Sequence, residues 1–299
     1  MKNIDLEQAT ETAVRLAKEA GILSKEHFGK VEVDWKNLDI SNMKGAKKYL
    51  TQSVTPIDYA SQRMILQGLI DVGFNKTTGV FAEEDVEELS SFVDNKDLRW
   101  VIDPIDGTFI YATANDDTKR NLEEKFDIKI DVDHRNYGVS IGLQENQKDF
   151  LLGVIYLPIL DELYVAVRGK GATKNGDKLL LPQVNFSENS RIHLNSKSDF
   201  VKEIIPAWQQ PLCTVYSLTG ITIGKNEAFF ARSTHLHDVG PSTLIIQESG
   251  GYVSDEKCQP IDFRNIYEKG RIPYYLAGPN KEFNSRLLQK IRDSGFDFE

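Results

Sequence analysis

The stretch Trp100-Val101-Ile102-Asp103-Pro104-Ile105-Asp106-Gly107-Thr108 decides how this chain is read. Three apolar residues predict a short buried strand, with Asp103 standing at its end. Pro104 fixes the backbone angle just after it. Gly107 permits a turn that residues with side chains resist, so Asp103 and Asp106 can converge on one point. Two carboxylates about 4 Å apart repel by roughly 4 kcal/mol at a surface-like dielectric. A cation removes that cost, so the pair points to a hard, oxygen-seeking metal such as magnesium. Gly107 and Thr108 open a predicted helix over Phe109 to Ala112, whose first amides favour an anion such as phosphate. Taken alone, the hexapeptide also fits an ordinary strand-exit turn, where Asp, Pro and Gly are common.

Two other acidic sites lie outward from this core. Upstream, the strand-like Gly79-Val80-Phe81-Ala82 delivers Glu83-Glu84-Asp85 at its end, which repeats the placement of Asp103. The competing reading is a solvated acid run, since Glu87 and Glu88 follow. Downstream, Asp238 precedes a predicted helix to Ser249 with Pro241 in its first turn, where a helix N-cap is its plain role. One residue can both start a helix and bind a metal.

The remaining elements follow from periodicity. Leu6, Ala9, Ala13, Leu16, Ala17, Ala20 and Leu23 predict an amphipathic helix over 5–28. Residues 36–53 read as loop with some strand, and Asp58 to Gly73 as a second helix. The runs VSIGL, FLLGVIYL and ELYVAV between Val139 and Val167 read as antiparallel sheet. Gly169 to Gly176 is a turn cluster and no nucleotide P-loop, because no G-K-[ST] closes it. Residues 114–135 are polar and charged and read as a solvated surface excursion. A last helix is expected from Asn280 to Ser294.

Composition sets the outer limits. The 299 residues, 27% charged with a net charge of −9, are ordinary for a globular chain and unsuited to binding nucleic acid along its phosphates. Cys213 and Cys258 form no disulfide framework and have no metal-type spacing, so both are expected to be plain core or surface residues. No apolar run approaches the roughly 18 residues of a membrane span. The first residues lack the pattern of a signal peptide. A cytoplasmic location is the default expectation.

These motifs together carry a resemblance. Asp103 to Thr108, DPIDGT, matches the first signature of the inositol monophosphatase family, the lithium-sensitive, magnesium-dependent phosphatases that include bisphosphate nucleotidases and some fructose bisphosphatases. Glu83-Glu84 lies upstream at the family's separation. Val54-Thr55-Pro56-Ile57-Asp58 resembles its V-T-x-x-D segment, Gly169 to Gly176 its G-x-G-A-x-x-N-G turn, and Asp238 with Gly250-Gly251 its second signature. The matches run in family order from Asp58 to Gly251.

The resemblance implies an α+β or α/β fold, a layered α/β/α/β/α sandwich of the sugar phosphatase type. An N-terminal lobe would span residues 1–185 and carry most metal ligands. A C-terminal lobe, 186–299, would supply Asp238 and substrate contacts. Glu83, Asp103, the carbonyl of Ile105, Asp106 and Asp238 would hold two or three magnesium ions. Asp58 would pair with the Thr108 hydroxyl, and with Glu83 these groups would orient and deprotonate the attacking water. Gly107 and Thr108 amides would hold the phosphate of a small ester. Lithium sensitivity and homodimers go with the family.

Three departures bear on substrate. His237 stands where the second signature has Trp, and Phe109-Ile110 follows Thr108 where the first has Asn two residues on. The charged segment is longer than usual. The position of the family's acidic sugar-hydroxyl contact falls in Ala231-Arg232-Ser233-Thr234, and Arg232 suits an extra phosphate better than a neutral ring. Inositol monophosphate, a 3'-phosphoadenosine 5'-phosphate type nucleotide and a sugar bisphosphate all remain open. Two rival readings stand beside the phosphatase: a non-catalytic relative that binds a phosphate ligand, and a binuclear zinc hydrolase using His235 and His237 on one strand face.

Overall fold

The computed structural model describes residues 4–31, 34–35, 53–126, 129–195, 201–265 and 270–298. Most of the 36–53 stretch, read as loop with some strand, lies outside the described residues. Helix α1 (Leu6–His27) realises the predicted periodicity, and Asp5 caps it by accepting the amides of Glu7 and Gln8 at 3.0 and 3.1 Å. A short ribbon pairs β1 (Asp34–Trp35) with β2 (Ser53–Val54). Helix α2 (Pro56–Asp71) begins two residues before its expected start, because Pro56 takes the first position and Thr55 the cap.

A seven-stranded sheet follows, in spatial order β3 (Gly79–Ala82), β4 (Leu98–Asp106), β5 (Gly138–Glu145), β6 (Asp149–Leu157), β7 (Glu162–Val167), β8 (Gly171–Lys174) and β9 (Asp177–Lys178). Only β3 and β4 run parallel; the rest of the ladder is antiparallel. Two helices interrupt it after β4: α3 (Thr108–Ala112) and α4 (Asp116–Phe126). A five-stranded sheet takes the order β11 (Trp208–Gln209), β10 (Ile192–Leu194), β12 (Ala228–His235), β14 (Arg271–Gly278) and β13 (Tyr252–Ser254). Its helices are α5 (Thr214–Thr222), α6 (Leu236–Glu248) and α7 (Lys281–Asp293).

Strand alternation sorts the core into layers. From β4, Trp100 and Ile102 pack with Val139, Ile141, Leu152 and Val154 against Leu16 of α1 and Leu66 and Leu69 of α2. Burial of those three leucines contributes about 6 kcal/mol before entropy, so packing rather than helix propensity holds α1 and α2 in place. On the other face, Val101 and Ile155 meet Val215 and Leu218 of α5, Val239 and Ile245 of α6, and Phe229 and Ala231 of β12. The far face of β12, Ala228 and Phe230, meets Phe283, Leu287 and Ile291 of α7. The result is the expected α/β/α/β/α sandwich.

One expectation is overturned. The charged segment 114–135 is no mere solvated excursion. Its helix α4 turns Leu122 inward, and Leu122 and Ile130 bury against Phe109 of α3. The segment also closes on itself, with the Ile130 amide donating to Glu123 Oε1 at 2.8 Å. Its apolar residues are too sparse among charges to show a helical stripe, which is why periodicity missed them.

Helix α6 packs directly on the large sheet, and glycines make room for it. A Cβ on Gly153 of β6 would sit 2.3 Å from the Pro241 carbonyl oxygen, and one on Gly142 of β5 would sit 2.8 Å from Pro241 Cγ. Pro241 has no N–H to give the carbonyl of His237 four residues earlier, and Ser140 Oγ donates to that carbonyl instead, at 3.2 Å. A sheet hydroxyl thus satisfies the gap in the helix ladder and pins the start of α6. Gly153→Ala is expected to cost about 3 kcal/mol, because the obstacle is backbone that cannot swing away. Urea midpoints would measure it, and a loss below 1 kcal/mol would mean that α6 can retreat freely. No helix among the described residues is long and apolar enough to cross a membrane.

Candidate active site

The site lies between the large sheet and α6. Asp103 is inside β4, not at its end, because the strand continues to Asp106 through a register shift between the two. The Ile105 amide donates to Asp103 Oδ1 at 3.0 Å across Pro104, which folds the backbone so that Asp106 returns to the same side. Gly107 then takes φ +90° as the cap of α3, a conformation that costs a residue with a Cβ. Glu83 arrives from the parallel neighbour β3, its amide still paired with the Ile102 carbonyl at 3.1 Å. Asp238 arrives from the other side, on α6.

A ligand oxygen from each of Asp103, Asp106 and Asp238 lies within 4.8 Å of the other two. A ligand atom from each of Glu83, Asp103 and His237 does the same. Asp103 therefore belongs to two adjoining groups. Asp238 is not the helix N-cap that its sequence position suggested. His235 caps α6, and Asp238 sits at the third helical residue, where its Oδ2 accepts the His235 amide at 3.4 Å and the Thr234 hydroxyl at 3.3 Å. A capping box places the carboxylate at that third residue.

Burial and mutual repulsion govern the charges. Asp103 is held well above the usual carboxylate range by burial, then by Glu83, Asp106 and Asp238. Asp106 is pushed up to about 7 by burial and by Asp238, against the opposing pull of the Val215 amide and the Cys213 thiol. Burial would raise Asp238 too, but the imidazoles of His237 and His235 outweigh it and hold Asp238 at about 2. At neutral pH such a set gives up its protons more readily when a cation joins it.

A second arrangement stands beside the carboxylates. Thr108 Oγ1 lies 2.8 Å from Asp58 Oδ1 and 2.8 Å from the Ile105 carbonyl oxygen. Asp58 is fully buried at the third residue of α2, where its Oδ2 accepts the Thr55 amide at 2.8 Å and the Thr55 hydroxyl at 2.6 Å. Burial raises Asp58 to about 6, with Glu83 adding to the rise and the Thr55 and Thr108 hydrogen bonds opposing it.

Sequence reasoning missed several supports. The fully buried Gln62 of α2 brackets Glu84, donating to its carbonyl and accepting its amide at 2.8 Å, and so fixes the strand exit that carries Glu83. Cys213, expected to be a plain residue, donates from Sγ to Asp106 Oδ2 at 3.3 Å while capping α5. The Val215 amide donates to the same oxygen. No local signal marks these partners, which lie far away in sequence. Arg232 is exposed, and strand alternation puts it with Ala228 and Phe230 on the α7 side of β12, while Ala231 faces the layer of α5 and α6. The two histidines share no strand face either. His235 caps α6 and His237 lies within it; their rings stack at 5.2 Å, but only His237 joins a ligand group.

The model of the inositol monophosphatase family matches residues 5–295. The chain belongs to the inositol monophosphatase family. It is a phosphoric monoester hydrolase, of a kind that depends on metal and acts on small phosphate esters. Among similar proteins of that family, an inositol monophosphatase of Dictyostelium discoideum is 26% identical over 85% of this chain and 87% of its own length. A fructose-1,6-bisphosphatase/inositol-1-monophosphatase of Thermotoga maritima is 23% identical over 81% and 83%. The solved structure of a Thermotoga maritima IMPase shares the fold with a TM-score of 0.75 at 19% identity, covering 98% of this chain and all of that one.

Proposed function

We propose that this family member is a magnesium-dependent phosphomonoesterase whose substrate is a small bisphosphorylated metabolite. The observation that carries the reading is the convergence of Asp103, Asp106 and Asp238, with Glu83 adjoining, around one point beside the Thr108–Asp58 pair. Oxygen donors of this number suit a hard divalent cation, and the raised carboxylates of Asp103 and Asp106 fit a site that ionises as the cation enters. Glu83, Asp103, Asp106, Asp238 and the Ile105 carbonyl would hold two or three such ions. Magnesium, when bound, would set positive charge against the phosphate and make a water in its reach more acidic.

The chain's own groups do the positioning. The Thr108 hydroxyl donates to Asp58, so its lone pairs remain to accept a proton from a water placed between Thr108 and Glu83. Asp58, raised to about 6, can take up the hydroxyl proton of Thr108 as Thr108 receives one from the water, which is left as hydroxide. The Gly107 and Thr108 amides at the start of α3 would face the phosphate oxygens.

Ala231 bears on the substrate class. The resemblance puts a sugar-hydroxyl-binding acid in this stretch, and the residue of β12 that faces the site layer here is a fully buried alanine. That favours the nucleotide and sugar bisphosphates over inositol monophosphate. Phosphate release from all three, with magnesium and with EDTA, tests the reading. Expected is magnesium-dependent release with a bisphosphate turned over fastest. Release that ignores EDTA, or none from any member, would sink the magnesium-dependent enzyme, and a preference for inositol monophosphate would sink the substrate argument.

A further inference from the structure

We propose that His237 is a nitrogen ligand to the cation held by Glu83 and Asp103, so that the two adjoining metal positions differ in chemistry. One, at Asp103, Asp106 and Asp238, is built from oxygen alone; the other mixes carboxylate with imidazole. The assignment rests on the metal dependence proposed above. The tryptophan that the resemblance expects at this position offers an indole, which cannot ligate a metal, whereas a neutral imidazole can.

Geometry carries the assignment. A ring nitrogen of His237 lies within 4.8 Å of ligand oxygens of both Glu83 and Asp103. The ring edge faces the cluster, since Nε2 is 3.1 Å from Asp238 Oδ1. The residue is buried, at 8% exposure. Its ring is stacked on Phe81 at 6.1 Å and on His235 at 5.2 Å, which leaves it little freedom to turn. Its backbone is held as well, because the carbonyl that Pro241 leaves unmatched accepts Ser140 Oγ. A ligand locked this way loses little entropy on binding a metal.

Donor chemistry gives the consequence. Imidazole favours first-row transition ions, and carboxylate favours magnesium and manganese. The oxygen-only position remains a magnesium site, while the mixed position selects Mn2+ or Co2+ over Mg2+. This is not a two-histidine zinc centre, because His235 belongs to neither ligand group.

The test uses the tag-free, metal-stripped full chain loaded with Mn2+ and examined by pulsed EPR for nitrogen coupling, beside calorimetric titrations with Mn2+ and Mg2+. Expected is coupling from one imidazole in the wild type and in His235→Gln, lost in His237→Gln and His237→Trp. Mn2+ affinity should fall by at least about tenfold in the two His237 variants, with Mg2+ affinity little changed. Absence of coupling in the wild type, or coupling that survives His237→Gln, overturns the assignment. The wild-type spectrum alone can do so, and therefore no outcome depends on a variant folding. A wild type that shows the coupling and releases no phosphate would support the ligand while faulting the phosphatase reading.

Discussion

Asp103→Asn is expected to cut phosphate release by about 10³-fold or more and, in metal-free buffer above pH 7, to raise the melting temperature. Asp103 is shared by both ligand groups, so its charge is missing from every cation position at once. An acid-base group held in place by that site contributes up to about 10⁴-fold, and the loss should appear in kcat rather than KM. The gain in stability has a separate cause. Asp58 at about 6, Asp106 at about 7 and Asp103, held well above the usual carboxylate range, all have folded pKa values above their unfolded ones. Their contribution to stability is present in full below about pH 4 and is lost as pH rises through 6 and 7, because the folded state must then ionise groups crowded in a dry site. Wild-type metal-free protein should therefore lose stability between pH 4 and 7 and regain it on adding magnesium. Asparagine keeps the acceptor for the Ile105 amide and removes one buried charge, so the slope should flatten. Calorimetry in EDTA across that range measures both. A variant less stable than wild type at pH 8 would show that the cluster is not strained.

Thr108→Val should lower kcat by about 10²- to 10⁴-fold while leaving magnesium affinity near that of the wild type. Valine matches threonine in shape and lacks only the hydroxyl, which here donates to Asp58 at 2.8 Å. The two ligand groups are built from carboxylates and the His237 ring, so binding and turnover should separate. Asp58, fully buried, would keep its two partners from Thr55 and lose the third, at a cost of about 1–3 kcal/mol in stability. Thr108→Ser should restore most of the turnover. Titration calorimetry beside steady-state kinetics decides it. Turnover within a few-fold of wild type would remove Thr108 and Asp58 from the reaction, and a parallel loss of magnesium binding would make Thr108 a support of the metal site instead.

The chemistry of the acidic core was legible in the chain itself. Asp103 and Asp106, three apart around Pro104 and followed by Gly107, can meet at one point whatever surrounds them, because the spacing and the glycine turn are local. Glu83 was legible as a carboxylate leaving a strand. The helix periodicity of α1 and the alternation of β5, β6 and β7 were equally local, and they set the layers. Where local signals compete, the reading slipped: Asp238 looked like a cap because Pro241 follows it, yet His235 took the cap once β12 ran on to that residue. The packing of α4 was hidden because the partners of Leu122 lie outside its own helix, at Phe109 and Ile130.

The sequence by itself determined which residues can bear charge, where α1, α2 and strands β5 to β7 run, and that two carboxylates would share a turn, since each of these depends on neighbours within a few positions. Only the tertiary structure decided what surrounds that turn. Gln62 at the Glu83–Glu84 exit, Cys213 and Val215 on Asp106, Ser140 on the carbonyl that Pro241 leaves open, and His237 beside Glu83 and Asp103 are all brought in from distant segments. Burial between two sheets removes water from these groups, and it is the loss of water that turns an ordinary set of acids into one that requires a cation.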